Sequence, residues 1–231
     1  MKHSHRFYRL LALILVCAAL FSACGERTVE LKLENGAFRN TKNGVAYREA
    51  SANYRATSLL EGEVLFLATG VLSDGVPLYA IENIDSKNFI TDENYTLYYN
   101  EAITLPTLAE MKPYIISCCV SNGNMAQELG RLDENDQAAI DDLVDILTQG
   151  TTFPKEKLLG YSYDRYELLF HSKEYPGFFY VLEYWKYEES FTFTDGDREY
   201  SIGKGVVYDR GNDCFYIMGD ILENYFDNAS S

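Results

Sequence analysis

Apolar and polar residues alternate without a break from Val29 to Glu34, the period of a strand with one wet face. Asn35-Gly36 follows, and Asn43-Gly44 comes soon after, the dipeptides that favour tight hairpin turns. Short strand-like runs then recur at Val45 to Glu49, Glu63 to Leu72, Leu78 to Ile81, Asn88 to Thr91 and Tyr95 to Tyr99, with Asp74-Gly75 as a further turn. Leu105-Pro106-Thr107 breaks the series, Tyr114 to Val120 reads as a buried strand, and Ser121 to Asn124 reads as a loop.

The period then changes. Ile140, Leu143, Val144 and Leu147 recur at helical spacing behind two candidate caps, Asp133 and Asp136, and Gly150 ends the run. Asp141, Asp142 and Asp145 fall largely off that stripe, so the helix is predicted to lay its apolar side on a sheet. Beyond it, strands are predicted at Ser162 to Phe170, Phe178 to Tyr187, Phe191 to Thr194, Tyr200 to Ile202, Gly205 to Asp209 and Cys214 to Ile217. Asp195-Gly196 and Arg210 to Asp213 supply hairpin turns, and Asp220 to Phe226 a last helical turn. The expected fold class is α+β: mostly antiparallel strands and hairpins with one central amphipathic helix over about 134–149. Residues 29–231 are expected to form one β-rich domain, or two lobes at 29–130 and 131–231.

Ahead of the first strand the pattern is different again. Lys2, His3, His5, Arg6 and Arg9 form a basic head, and an apolar run from Leu10 to Phe21 follows. Spanning a bilayer takes about 20 apolar residues, so this shorter run reads as an export signal rather than a membrane helix. Leu20-Phe21-Ser22-Ala23-Cys24 resembles the lipobox of bacterial lipoproteins, a Leu, two small residues and a Cys, with Phe21 standing where Leu is usual. That resemblance implies removal of residues 1–23, a diacylglyceryl group on the Cys24 thiol and often an acylated (for example palmitoylated) amine. Two or more acyl chains hold a protein to a membrane stably, at about 0.8 kcal/mol per buried methylene. Residues 24–28 would then be a tether spanning at most ~17 Å. The expected location is extracytoplasmic, lipid-anchored to the membrane.

The chain carries a net charge of −15, and the leader contributes Lys2, Arg6 and Arg9 without an acid, so the remainder stands at −18. Such a surface repels nucleic acid, and no nucleic-acid partner is expected. Tyrosine is abundant, 19 residues beside 13 Phe and a single Trp, which suits half-wet strands; most of that aromatic area is expected in the core. Behind Cys24 the cysteines are Cys118, Cys119 and Cys214. Either Cys118 or Cys119 could pair with Cys214 outside the cell, or all three stay reduced and packed as small apolar groups.

Most reaction chemistry lacks its residues. His171 is the one histidine behind the leader, and its neighbours Ser172-Lys173-Glu174 and Pro176-Gly177 predict an exposed loop. Gly160-Tyr161-Ser162-Tyr163-Asp164 begins like a nucleophile elbow but lacks the closing glycine. Gly203-Lys204-Gly205 is no phosphate loop, and the Asp133, Asn135, Gln137 series fails as a calcium loop, with Ala138 where Gly is required. The cysteine spacing matches no zinc pattern, so neither metal nor cofactor is expected. Paired carboxylates are inevitable among 35 acids, and without a pocket no pair carries information.

The expected role is therefore a non-enzymatic surface module acting through its sheet face or edge on a protein or cell-wall partner. A glycan or small-ligand binder using exposed tyrosines, and a carboxylate-dependent hydrolase, are the alternatives. The first would show an open patch or strand edge, the second three or more tyrosines on one solvent face, the third two acids in one cleft with shifted pKa values.

Overall fold

In the computed structural model, residues 29–60, 64–69, 75–122, 125–158, 160–219 and 221–226 are described. The leader and Cys24 lie outside that range, as do parts of the Glu63 to Leu72 strand and the Asp74 turn. The described chain is mostly antiparallel strand with one long helix, more strand-rich than an α+β label suggests. No described helix is long and apolar enough to cross a membrane.

The described residues from Val29 to Asn100 build a closed barrel. Its strands are β1 (Val29–Glu34), β2 (Ala37–Asn40), β3 (Ala46–Glu49), β5 (Val64–Thr69), β6 (Val76–Tyr79), β7 (Phe89–Thr91) and β8 (Leu97–Asn100). They run in the order β1-β2-β3-β8-β7-β6-β5, and a parallel pairing of β1 with β5, Val29 against Phe66, closes the ring. Asn35 and Gly36 both take positive φ, 53° and 77°, which gives the β1–β2 turn the right-handed twist a two-residue hairpin needs. Leu31, Phe38, Tyr47, Ala68, Leu78, Ile90 and Tyr98 fill the interior. The alternation in β1 overshoots the barrel: Leu31 is buried, but Leu33 reaches the rim and is 41% exposed.

The second unit is a broad sheet with the order β10-β9-β12-β13-β16-β17-β11. These strands are β9 (Pro113–Asn122), β10 (Met125–Leu132), β11 (Thr152–Pro154), β12 (Tyr163–Ser172), β13 (Phe178–Tyr187), β16 (Gly205–Asp209) and β17 (Cys214–Ile217). The hairpin β14 (Phe191–Asp195) and β15 (Arg198–Ile202) stands apart from it. The sheets divide between Asn100 and Pro113, not at residue 130, which lies inside β10. Helix α1 (Leu108–Met111) opens this junction, capped by Thr107 and Glu110 in a reciprocal capping box.

Helix α2 (Gln137–Gln149) follows a 3-10 turn at Glu134–Asp136, so the expected helix is present with its first turn wound tighter. Asp133 caps the 3-10 turn, whereas Asp136 makes no side-chain cap. Ile140, Leu143 and Leu147 pack on Ile116, Cys118, Leu168, Phe170, Leu182 and Tyr184 of the sheet. Burial of each of those three helix side chains contributes about 1.5–3 kcal/mol. Helix α3 (Ile221–Phe226) adds Leu222 and Phe226 to the same core.

One strand ties the units together. β13 pairs β16 through its second half, and through its first half it pairs β4 (Tyr54–Ala56), which leaves the barrel after β3. Asn53 reinforces this seam, accepting from the Val181 amide at 2.7 Å and donating to the Val181 carbonyl at 3.2 Å. On β13, Phe178 and Tyr180 pack on the barrel segment from the same face whose Leu182 and Tyr184 lie under α2, and the residues that alternate with them stand on the other face.

Candidate functional site

Strand periodicity decides which side chains share the outer face. Tyr163, Arg165, Glu167, Leu169 and His171 of β12 stand on it, and register places them opposite or beside Phe179, Val181, Glu183, Trp185 and Tyr187 of β13. Ser117 and Cys119 of β9 continue the rows at Leu169 and Glu167. Three groups on this face carry chemistry: a charged cleft, an imidazole cluster and an aromatic ledge.

The cleft, of about 190 Å³, forms where the β3–β4 loop, the turn at Tyr95 and Arg210 converge on Glu167 and Glu183. The two carboxylates face each other across β12 and β13. Arg55 donates to Glu167 over 2.8 Å. Arg210 donates to Glu183, and the Trp185 indole donates to the same carboxylate over 2.8 Å. Arg165 approaches Glu183 at 4.0 Å. The Glu183 side chain is only 6% exposed, and a carboxylate buried that far needs such partners to offset its lost hydration. Cleft and clamp thus share one arrangement: two acids on one sheet face, each held by a guanidinium from outside that sheet pair.

The imidazole cluster corrects the sequence expectation for His171. That residue lies within β12, half-buried, because the strand runs on to Ser172 rather than ending at Phe170. Its Nε2 is 3.2 Å from Ser117 Oγ, and its ring packs on Phe179. Burial holds the imidazole below its usual pKa; the Arg131 charge adds to this and Glu128 opposes it. Burial also pushes the Glu128 carboxyl up, yet the bonds from Arg131 and Ser117 outweigh it and leave the group below the usual range. The pairing resembles part of a serine triad in composition but not in geometry. Ser117 is 2% exposed, and Glu128 bonds the serine and Arg131 rather than orienting the imidazole.

Cys119, beside this cluster, has its thiol pushed up to about 11 by burial and by Glu128 and Glu167. Such a thiol stays protonated and unreactive at neutral pH. Cys118, Cys119 and Cys214 form no disulfide. β9 and β17 are separated by β12, β13 and β16, about 19 Å at the usual strand spacing, and a disulfide needs Cα atoms within about 7 Å. The pairing of Cys118 or Cys119 with Cys214 is therefore replaced by packed thiols, buried at Cys118 and Cys119 and half-buried at Cys214.

The ledge lies next along the same face. Tyr163 stacks on Trp185 with centroids 4.0 Å apart and planes 7° from parallel, and Tyr161 stacks on Phe191 at 3.6 Å and 15°. Tyr187 stands edge-on between them, its hydroxyl buried with no hydrogen-bond partner among the described residues. Among the described residues Tyr47, Tyr98, Tyr184, Tyr187 and Tyr208 are buried and most other tyrosines are half-buried, while Tyr161, Tyr163 and Tyr95 at the cleft are exposed. Among the described residues no group of three or more His, Cys, Asp or Glu side chains is arranged to hold a metal.

Reading by local motif missed the cleft, because its two acids meet only through the β12–β13 register. One signal was available: Glu183 interrupts the apolar run Phe178 to Trp185, and a charge inside such a run implies a buried partner. No family model, no curated protein and no solved structure matches the chain.

Proposed function

We propose that this chain is an exported protein, anchored to a membrane through lipid on Cys24, that acts by binding rather than catalysis through the outer face of its large sheet. The observation that carries the binding reading is the engagement of the cleft acids: Glu167 and Glu183 are held by Arg55 and Arg210, as a rigid floor would be. A general acid or base must instead be able to hand a proton to a ligand. The buried Ser117 hydroxyl and the thiol of Cys119, pushed up to about 11, support the same reading, since neither is an activated nucleophile. The outer face also offers what a binding surface requires: a preformed cleft beside exposed aromatic rings.

The anchor is read by mass spectrometry of the mature N-terminus from a membrane fraction, where a diacylglyceryl-modified Cys24 is expected. A chain beginning elsewhere, or an unmodified Cys24, would contradict the anchor. The binding reading is tested by offering the full-length chain nitrophenyl glycosides and esters. No turnover is expected, and a turnover that Glu167→Gln abolishes would overturn it.

A further inference from the structure

The charges in the wall of the cleft do not balance. Three carboxylates line it, Glu49, Glu167 and Glu183, against two guanidiniums, Arg55 and Arg210. Both guanidiniums are engaged, Arg55 with Glu167 and Arg210 with Glu183. Glu49, exposed at the end of β3, pairs with no base among the described residues. Arg165 and Asp92 lie outside the wall and offset each other: Arg165 is 4.0 Å from Glu183, and Asp92 is buried within the Tyr95 turn. The excess negative charge of the wall therefore sits at Glu49. The same wall carries Tyr54 and Tyr95. Tyr95 is 41% exposed and takes a φ of 62°, which residues other than glycine rarely adopt. Asp92 holds the turn in that form: the Asn94 and Thr96 amides donate to its carboxylate over 2.9 and 3.0 Å, and the Tyr95 amide donates to its carbonyl over 3.2 Å.

An unpaired carboxylate and aromatic rings attract the same class of group, a cation. An anionic group would meet Glu49 and would have to displace a glutamate from its guanidinium. Among the described residues no group of three or more His, Cys, Asp or Glu side chains is placed to hold a metal, so the cation that fits is an organic one. At about 190 Å³ the cleft is smaller than the roughly 300–1,000 Å³ of drug-sized sites and larger than the ~150 Å³ that takes up benzene, so it suits one small group. We infer that the cleft binds an organic ammonium group, of a free amine or of a lysine side chain on a partner, with Glu49 as its counter-charge and Tyr95 as its aromatic neighbour. This rests on the binding reading above and assigns its ligand class.

Trp185 is the single tryptophan of the chain, and its indole donates to Glu183 in the wall, so its emission reports on the cleft. Full-length chain would be titrated with choline, with cadaverine, with acetyl-Gly-Lys-Gly-amide and with acetate. A saturable change with at least one ammonium probe is expected, at a dissociation constant of about 1 mM or below, and none with acetate. Saturation by choline or cadaverine alone assigns a free amine, and saturation by the peptide assigns a partner's lysine. Glu49→Gln should weaken binding tenfold or more. Glu188→Gln, which removes an equal charge from an exposed position outside the cleft, should leave binding unchanged. Tyr95→Ala should also weaken binding and Tyr95→Phe should retain it, which guards against a folding artefact. Saturation by no ammonium probe, saturation by acetate, unchanged binding in Glu49→Gln, or equal weakening by Glu188→Gln would overturn the inference. Turnover of the nitrophenyl substrates overturns the binding reading whatever this titration shows, and a failed titration alone leaves that reading standing.

Discussion

Arg55 and Glu167 lie 112 positions apart in the chain and meet at 2.8 Å, the first from the strand that leaves the barrel and the second from the middle of the large sheet. Their side chains are 31% and 18% exposed, so the pair sits between a surface bridge and a buried one. Replacing Arg55 by Ala leaves Glu167 partly buried without its counter-charge. The expected loss is about 1–2 kcal/mol, below the 3–5 kcal/mol of a fully buried pair. Arg55→Ala/Glu167→Gln should recover part of it, and urea midpoints of the four proteins check this as a double-mutant cycle. Additive losses would mean that the pair contributes nothing to the seam.

Tyr187 offers a test with the opposite sign. Its hydroxyl is buried without a hydrogen-bond partner among the described residues. Tyr187→Phe removes that polar atom and keeps the ring between Tyr161 and Tyr163. Stability should be unchanged or rise, by up to about 1–2 kcal/mol. A clear loss in thermal or urea unfolding would show that the hydroxyl has a partner after all.

The barrel turn at Asn35-Gly36 and the helix stripe Ile140, Leu143 and Leu147 were legible because their signals are local, and each falls where the pattern placed it. Barrel closure was not, since the parallel pairing of Val29 with Phe66 leaves no mark in either segment. β10 was also missed. Met125 to Leu132 is rich in helix formers, and only its pairing with β9 makes it a strand. His171 was misplaced for a similar reason: polar neighbours suggested a loop, while pairing with Ile115 holds it in the sheet. The candidate site was the least legible part, because Glu167, Glu183, Arg55 and Arg210 come from four elements that meet only in the folded chain.

His171 gives a pH signature. Its folded pKa is lowered, chiefly by burial, while the unfolded value is about 6.5. Below that value the unfolded chain binds the proton more readily, so the contribution from this group is intact above pH 6.5 and is lost as pH falls toward the folded value. With no other histidine behind the leader, the urea midpoint should drop between pH 7.5 and 5.5, and His171→Gln should shrink that drop. An unchanged drop in the variant would place the effect on other groups.

The thiols are expected to be reduced and graded in reactivity. Mature chain denatured without reductant should take up an alkyl group at each of Cys118, Cys119 and Cys214. In the folded chain at pH 8, Cys214, which is only half-buried, should react before buried Cys119, whose thiol is pushed up to about 11. Peptide mapping after timed alkylation reads both results, and a Cys214-containing disulfide peptide would contradict the strand order.

The claim beneath the functional account is that the outer face of the large sheet is the surface the protein uses. Hydroxyl-radical footprinting of the full-length chain, in isolated envelopes and again after purification, tests it most directly. Tyr95, Tyr161 and Tyr163 are exposed in the structure and should oxidise several-fold more slowly in envelopes, while Leu33 at the barrel rim and Ile221 at α3 should oxidise at the same rate in both. Equal rates for the three tyrosines, or protection confined to Leu33 and Ile221, would contradict it.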